Sequence, residues 1–123
     1  MSVEKILENI MHTDNHIRYA TIFDLEGNEI KTSLRKDTEP FLDEKATKET
    51  LHYSANAWKT RRTFEPKIGK GQYVLAVYEK LRRLTMPVGD KHLLMVTWGT
   101  DGGTSDIIER IGNMFSGDYT KDW

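Results

Sequence analysis

Between Gln72 and Trp98 the chain reads QYVLAVYEKLRRLTMPVGDKHLLMVTW, which predicts three consecutive strands. Tyr73 to Tyr78 and Leu93 to Trp98 are nearly unbroken runs of Val, Leu and aromatic residues. Between them Leu84, Met86 and Val88 alternate with other residues, the period of a further strand. The connections, around Glu79 to Arg82 and Pro87 to Lys91, are short, so neighbouring strands should be antiparallel. A sheet of this kind needs helices to cover it, and the rest of the chain is expected to supply them.

The 123 residues suffice for one hydrophobic core, and residues 1–123 are read as a single domain. The helical candidates come from periodicity. Val3, Ile6, Leu7, Ile10 and Met11 mark a short amphipathic helix, and Ile107, Ile108, Ile111, Met114 and Phe115 mark a last one. Asp106 and Glu109 resemble a capping pair for the last helix, with Thr104 or Ser105 as the alternative N-cap, and Gly117 is expected to stop it. Beyond it, the tail from Asp118 to Trp123 is expected to fray unless Tyr119 or Trp123 docks. Ile17 to Phe23 and Glu29 to Leu34 read as two antiparallel strands around a tight Asp24–Asn28 reversal, in which Gly27 offers a positive φ. The second of these strands has only Ile30 and Leu34 as apolar residues, which suits a sheet edge.

The longest helical pattern runs from Phe41 to Thr63, with Pro40 placed for the first turn, and Glu65 to Gly71 reads as a loop beyond it. On a helical projection Thr47, Leu51, Ser54, Ala55 and Trp58 share one stripe, while Leu42, Ala46, Tyr53, Ala57 and Phe64 form a second. Together they cover about 200° of circumference, against the roughly 100° that one sheet requires. A second packing partner is implied, either the first or last helix of the same chain or the same helix of a second copy.

Charge is unevenly distributed. Residues 1–58 carry 7 basic and 11 acidic side chains, residues 59–83 carry 8 and 2, and residues 84–123 carry 3 and 6, so a middle segment of about +6 lies between acidic flanks. Arg61, Arg62, Arg82 and Arg83 are its most prominent members and form a candidate contact for an anion or an acidic partner. With Trp58, Tyr73 and Tyr78 close by in sequence they also suggest an RNA-binding surface, but the glycine-aromatic signature of an RRM is absent and the pI is near 6.4.

Motifs for chemistry are missing. GTDGGTS at 99–105 lacks the G-K-[ST] ending of a P-loop and the spacing of a dinucleotide site, and reads as a strand-to-helix turn. His12 and His16 are four apart but separated by the turn residues Thr13, Asp14 and Asn15, with no third ligand at a recognisable interval. His52 and His92 read as surface or boundary residues, and no serine has a G-x-S-x-G context. No catalytic residue, cofactor or metal is expected. Without cysteine there is no disulfide framework, and no apolar run approaches the roughly 20 residues that cross a bilayer, nor does the N-terminus show a signal-peptide block. The reading is of a soluble, cytoplasmic protein with no membrane insertion.

The order helix, two strands, long helix, three strands, helix defines an α+β domain with a five-stranded antiparallel sheet. It resembles the roadblock/dynein-light-chain superfamily of the profilin-like group, with a closer likeness to small archaeal roadblock-like proteins. The resemblance is carried by HIRYATIFDLEGNEI at 16–30, EPFLDEK at 39–45, KIGKGQYVLAVYEK at 67–80, TMPVGDKHLLMVTW at 85–98 and the terminal helix. It implies homodimers or heterodimers formed through the central helix and the adjoining strand edge, with Ala46, Tyr53, Ala57, Tyr73, Val74 and Val77 at the interface. It also implies regulation or scaffolding of Ras-like small GTPases rather than catalysis. Two other classes stay open, a PAS-like or GAF-like sensor of a small ligand and a basic-surface nucleic-acid binder.

Overall fold

The computed structural model describes residues 2–115. Their order is α1 (Val3–Thr13), β1 (Ile17–Asp24), β2 (Glu29–Leu34), α2 (Glu44–Arg62), the single turn α3 (Glu65–Ile68), β3 (Val74–Val77), β4 (Leu81–Val88), β5 (His92–Gly99) and α4 (Thr104–Met114). The five strands form one sheet in the order β2-β1-β5-β4-β3, every pair antiparallel. Apart from the added turn α3, this is the expected α-β-β-α-β-β-β-α arrangement.

β5 lies at the centre, and its continuous apolar run follows from that position. Leu93 and Met95 face α2, together with Phe23, Leu51, Ala55 and Trp58. Leu94, Val96 and Trp98 face the opposite side, where α1 and α4 pack with Ile6, Ile10 and Ile107. A strand covered on both faces has no solvent side on which to alternate polar residues. β2 and β3 are the edges, as the thin apolar content of β2 anticipates.

Local chemistry fixes the ends of the elements. The Ser2 hydroxyl accepts from the Lys5 amide at 3.2 Å and caps α1. α2 starts at Glu44 rather than near Phe41, because the Asp43 carboxylate accepts from the Ala46 amide at 2.8 Å and takes the N-cap role. Pro40 therefore lies ahead of the helix instead of in its first turn. Residues 65–68, expected as loop, wind into α3 with Pro66 inside its first turn. β4 begins at Leu81, so Arg82 belongs to the strand rather than to the connection before it. At α4 the expected side-chain cap is absent: Gly103 occupies the N-cap, and the Thr104 hydroxyl instead accepts the Trp98 indole N–H at 3.2 Å. Gly117 and the tail from Asp118 to Trp123 lie outside the described residues.

The β1–β2 reversal is built on Asp24, whose carboxylate accepts from the amides of Glu26 at 3.0 Å and Asn28 at 2.8 Å. Burial pushes its pKa up, but these bonds and the one from the Asn28 side chain outweigh that, so the carboxyl titrates below its usual range. Gly27 adopts φ 85°, and a methyl group added there would sit 2.8 Å from the Cα of His52 on α2. Both the backbone conformation and the contact with α2 require glycine. Gly27→Ala is expected to lower stability by about 1–3 kcal/mol, measured by urea denaturation; a neutral result would show that the turn and the helix relax apart.

One buried-side link is invisible to periodicity. Arg35, just past β2, donates from Nε to the Ile17 carbonyl at 2.8 Å and from Nη2 to the carbonyls of Met11 at 2.7 Å and Asp14 at 3.0 Å. It ties the last turn of α1 to the start of β1.

Candidate functional site

The inner stripe of α2 is satisfied within the chain. Leu51, Ser54, Ala55 and Trp58 are buried against the sheet, and the Trp58 indole N–H donates to the Thr85 hydroxyl at 2.9 Å. The outer stripe is not covered: Tyr53 is 75% exposed and Phe64 53% exposed. Because α1 and α4 both lie on the far side of the sheet, neither supplies the second partner that the projection of this helix demands.

Between α2 and the β3–β4 edge runs an open groove of about 810 Å³. Ala46, Tyr53 and Ala57 line its helix wall, and Val74 and Ala76 line its strand wall. Of the six candidate interface residues, Ala46, Tyr53, Ala57 and Val74 are thus brought together. Tyr73 precedes β3 and lines a recess on the α4 side with Leu84 and Phe115. Val77 is 62% exposed, and strand alternation turns it away from Val74 and Ala76. Both remain on or beside β3, whose outer backbone edge pairs with no strand among the described residues.

The four arginines do not form one surface. Arg61 lines the groove and stacks over Trp58, its guanidinium 5.1 Å from the ring centroid. Arg83 also reaches the groove and lies 5.5 Å from the Tyr78 ring centroid. Arg62 instead donates to the Asp90 carbonyl at 2.7 Å in the β4–β5 turn. Arg82 points to the other face of the sheet and donates to the Tyr78 carbonyl at 2.6 Å. Neighbours in a strand face opposite ways, which separates Arg82 from Arg83.

The loop before α2 closes one end of the groove, a role the sequence pattern did not reveal. Arg18 donates to the Glu39 carbonyl at 3.0 Å and its guanidinium stacks 4.4 Å from the Phe41 ring centroid, which holds Phe41 and Leu42 against the groove. The alternation of Val74 and Ala76 was the available signal for the strand wall.

Among the histidines, His16 is seated against a carboxylate. The His16 ring meets the Asp14 carboxylate at 2.7 Å, and Arg110 approaches the same group at 3.6 Å. Burial pushes the Asp14 pKa up, but hydrogen bonds from His16 and the charges of His16 and Arg110 more than offset this and hold the carboxyl below its usual range. Among the described residues no group of three or more His, Cys, Asp or Glu side chains is placed to hold a metal ion. No described helix is long and apolar enough to cross a membrane.

No protein-family model matches the chain, and no curated protein sequence matches it. Solved structures do. The gliding protein MglB from Thermus thermophilus superposes with a TM-score of 0.75 at 13% identity, over 96% of this chain and 85% of that one. A roadblock/LC7 domain from Streptomyces avermitilis gives 0.65 at 10% identity, over 93% and 95%. Acanthamoeba castellanii profilin II gives 0.58 at 13% identity, over 89% and 92%. The fold is therefore that of roadblock/LC7 domains, within the profilin-like group.

Proposed function

We propose that residues 1–123 form a single non-enzymatic interaction module that pairs with a second copy of itself through α2 and β3. In this reading it works in the cytoplasm as a regulator or scaffold for a Ras-like small GTPase. The observation that carries the pairing is the outer stripe of α2, with Tyr53 standing 75% exposed beside the groove and an unpaired strand edge. A large exposed aromatic next to small residues such as Ala46 and Ala57 suits close approach by another chain. The GTPase role is supported by the resemblance to roadblock domains and by the shared fold. The scattered arrangement of Arg61, Arg62, Arg82 and Arg83 weighs against the nucleic-acid reading, which needs a continuous basic surface.

Sedimentation velocity across a concentration series tests the pairing. The expected result is a dimer mass at about micromolar concentration that reverts to monomer in Tyr53→Glu, with the melting curve of the monomer preserved. A monomer at every concentration would remove the reading. For the partner, a Ras-like GTPase retained by the wild-type chain from its native lysate, identified by mass spectrometry and lost in Tyr53→Glu, is the supporting outcome. Retention of no GTPase would count against it.

A further inference from the structure

Strand register places Tyr19 opposite Thr97 and Thr97 opposite Arg83, so a polar row crosses three adjacent strands on the face that α2 covers. The next row behaves as a core should. Thr85 accepts from Trp58, and the Thr21 hydroxyl meets both the Thr32 hydroxyl at 2.7 Å and the Lys31 carbonyl at 3.1 Å.

In the Tyr19–Thr97–Arg83 row it is the arginine that is left over. The Tyr19 hydroxyl and Arg83 Nε are both buried; the phenol lies in loose hydrogen-bonding reach of the Thr21 and Thr32 hydroxyls, whereas Arg83 Nε has no acceptor. The hydroxyls of Thr21 and Thr32 beside Tyr19 bond to each other, to Lys31 and to Glu29, and their remaining lone pairs face the phenol. Among the described residues no carboxylate oxygen comes within 4.0 Å of an Arg83 nitrogen, although four other basic side chains have such a neighbour. A guanidinium keeps its charge at any physiological pH, so a buried donor of this kind without an acceptor is costly.

Tyr19 and Arg83 contribute to one recess of about 50 Å³, between the loop at Pro40–Leu42 and the first turns of α2. Its apolar walls include Leu34, Leu81 and Met95, and its lining also holds one charge of each sign, Arg18 and Glu39. Phe41, Leu42, Leu81 and Arg83 are shared with the 810 Å³ groove, so the recess opens into that larger space. Burial raises the Tyr19 pKa, with smaller offsets from Thr21, Thr32 and Arg83, so the phenol stays a proton donor at neutral pH. A partner for the recess must accept a hydrogen bond from Arg83 Nε, counter one positive charge, fit a space of this size, and continue into the larger groove. One water meets the first and third conditions in part but carries no charge.

We propose that this recess is a binding site for a small organic acid, with its carboxylate on Arg83 beside the Tyr19 phenol and its apolar body lying along Leu42 and Leu81 into the groove. The planar fork of arginine matches the two oxygens of a carboxylate, which lysine would not reproduce. The recess is formed within one chain, but the outer end of the acid enters the groove proposed above for pairing, so acid and second copy compete there.

The test is titration of the full chain with hexanoate and 4-phenylbutyrate, followed by NMR shifts and by calorimetry, with hexanamide and inorganic phosphate as comparisons. Saturable binding of the acids is expected, with hexanamide weaker than hexanoate by about tenfold or more. Arg83→Gln is expected to lose about tenfold or more, Tyr19→Phe a smaller factor, and Arg82→Gln, on the opposite face, nothing. Equal affinity for acid and amide, no saturation up to about 50 mM acid, or binding unchanged by Arg83→Gln would overturn the assignment. Phosphate bound as tightly as the acids would reduce it to a non-selective anion contact and also overturn it. If the chain pairs as proposed, affinity should fall as it is concentrated into dimers; a chain that stays monomeric and still binds the acids overturns the pairing and not the site. Because the acid–amide comparison uses the unmodified chain, it decides the question even if Arg83→Gln fails to fold.

Discussion

Replacing Trp58 with alanine is expected to cost about 3–5 kcal/mol of folding stability. The indole is only 1% exposed and, with Leu51, is one of two large side chains through which α2 rests on the sheet. Its removal opens a cavity against Phe23, Leu93 and Met95, and it also deprives the buried Thr85 hydroxyl of its donor. The neighbourhood has little slack to refill the space, since a methyl group at Gly71 would already meet the Trp58 ring at 2.7 Å. Trp58→Phe separates the two effects: it keeps most of the volume and loses the hydrogen bond, for about 1–2 kcal/mol. Urea denaturation followed by far-UV circular dichroism is the appropriate measurement, because tryptophan fluorescence changes with the substitution itself. A loss below about 1 kcal/mol for the alanine variant would mean that α2 is not anchored by this residue.

The second large effect is expected at Arg35. Arg35→Ala removes three donated hydrogen bonds, to Met11, Asp14 and Ile17, and should destabilise the domain by about 2–4 kcal/mol. Two of the three carbonyls belong to the end of α1 or the turn after it, where a cation also opposes the helix dipole favourably. Arg35→Lys should recover only part of the loss, because a single ammonium does not reproduce donors spread over Nε and Nη2. Hydrogen exchange gives a local readout: amides in the last turn of α1 should exchange faster in Arg35→Ala, whereas those of α2, on the other side of the sheet, should change only with global stability. Unchanged exchange in α1 would show that the helix is held by its apolar stripe alone.

These two positions mark the boundary of what the amino-acid order reveals. Trp58 sits on a helical stripe, so its burial follows from periodicity, as does that of Ile6 and Ile10 in α1 and of the β5 run. Arg35 stands in a polar connection and carries no pattern that separates it from Lys36 beside it; its role appears only when α1 and β1 are brought together. The start of α2 falls later than its pattern suggests because Phe41 and Leu42 continue the apolar spacing, while Asp43 as a cap and Arg18 stacked on Phe41 hold them out of the helix. In β4 the pair Arg82–Arg83 hides the strand period, although the two side chains do alternate between faces. The outer stripe of α2 is visible as an excess of apolar circumference. The polar row of Tyr19, Thr97 and Arg83 is not, because it exists only through the register of strands distant in sequence.

The position of β5 also constrains the order in which the molecule can be completed. β1–β2 and β3–β4 are each closed by a neighbour in sequence or by a short turn, but only the strand from His92 to Gly99 joins the two hairpins. A chain emerging from the ribosome therefore holds two separate ribbons until its last described strand is available. The seam between residues near 20 and residues near 96 is the pairing that closes the longest stretch of chain, and long closures of this kind slow folding.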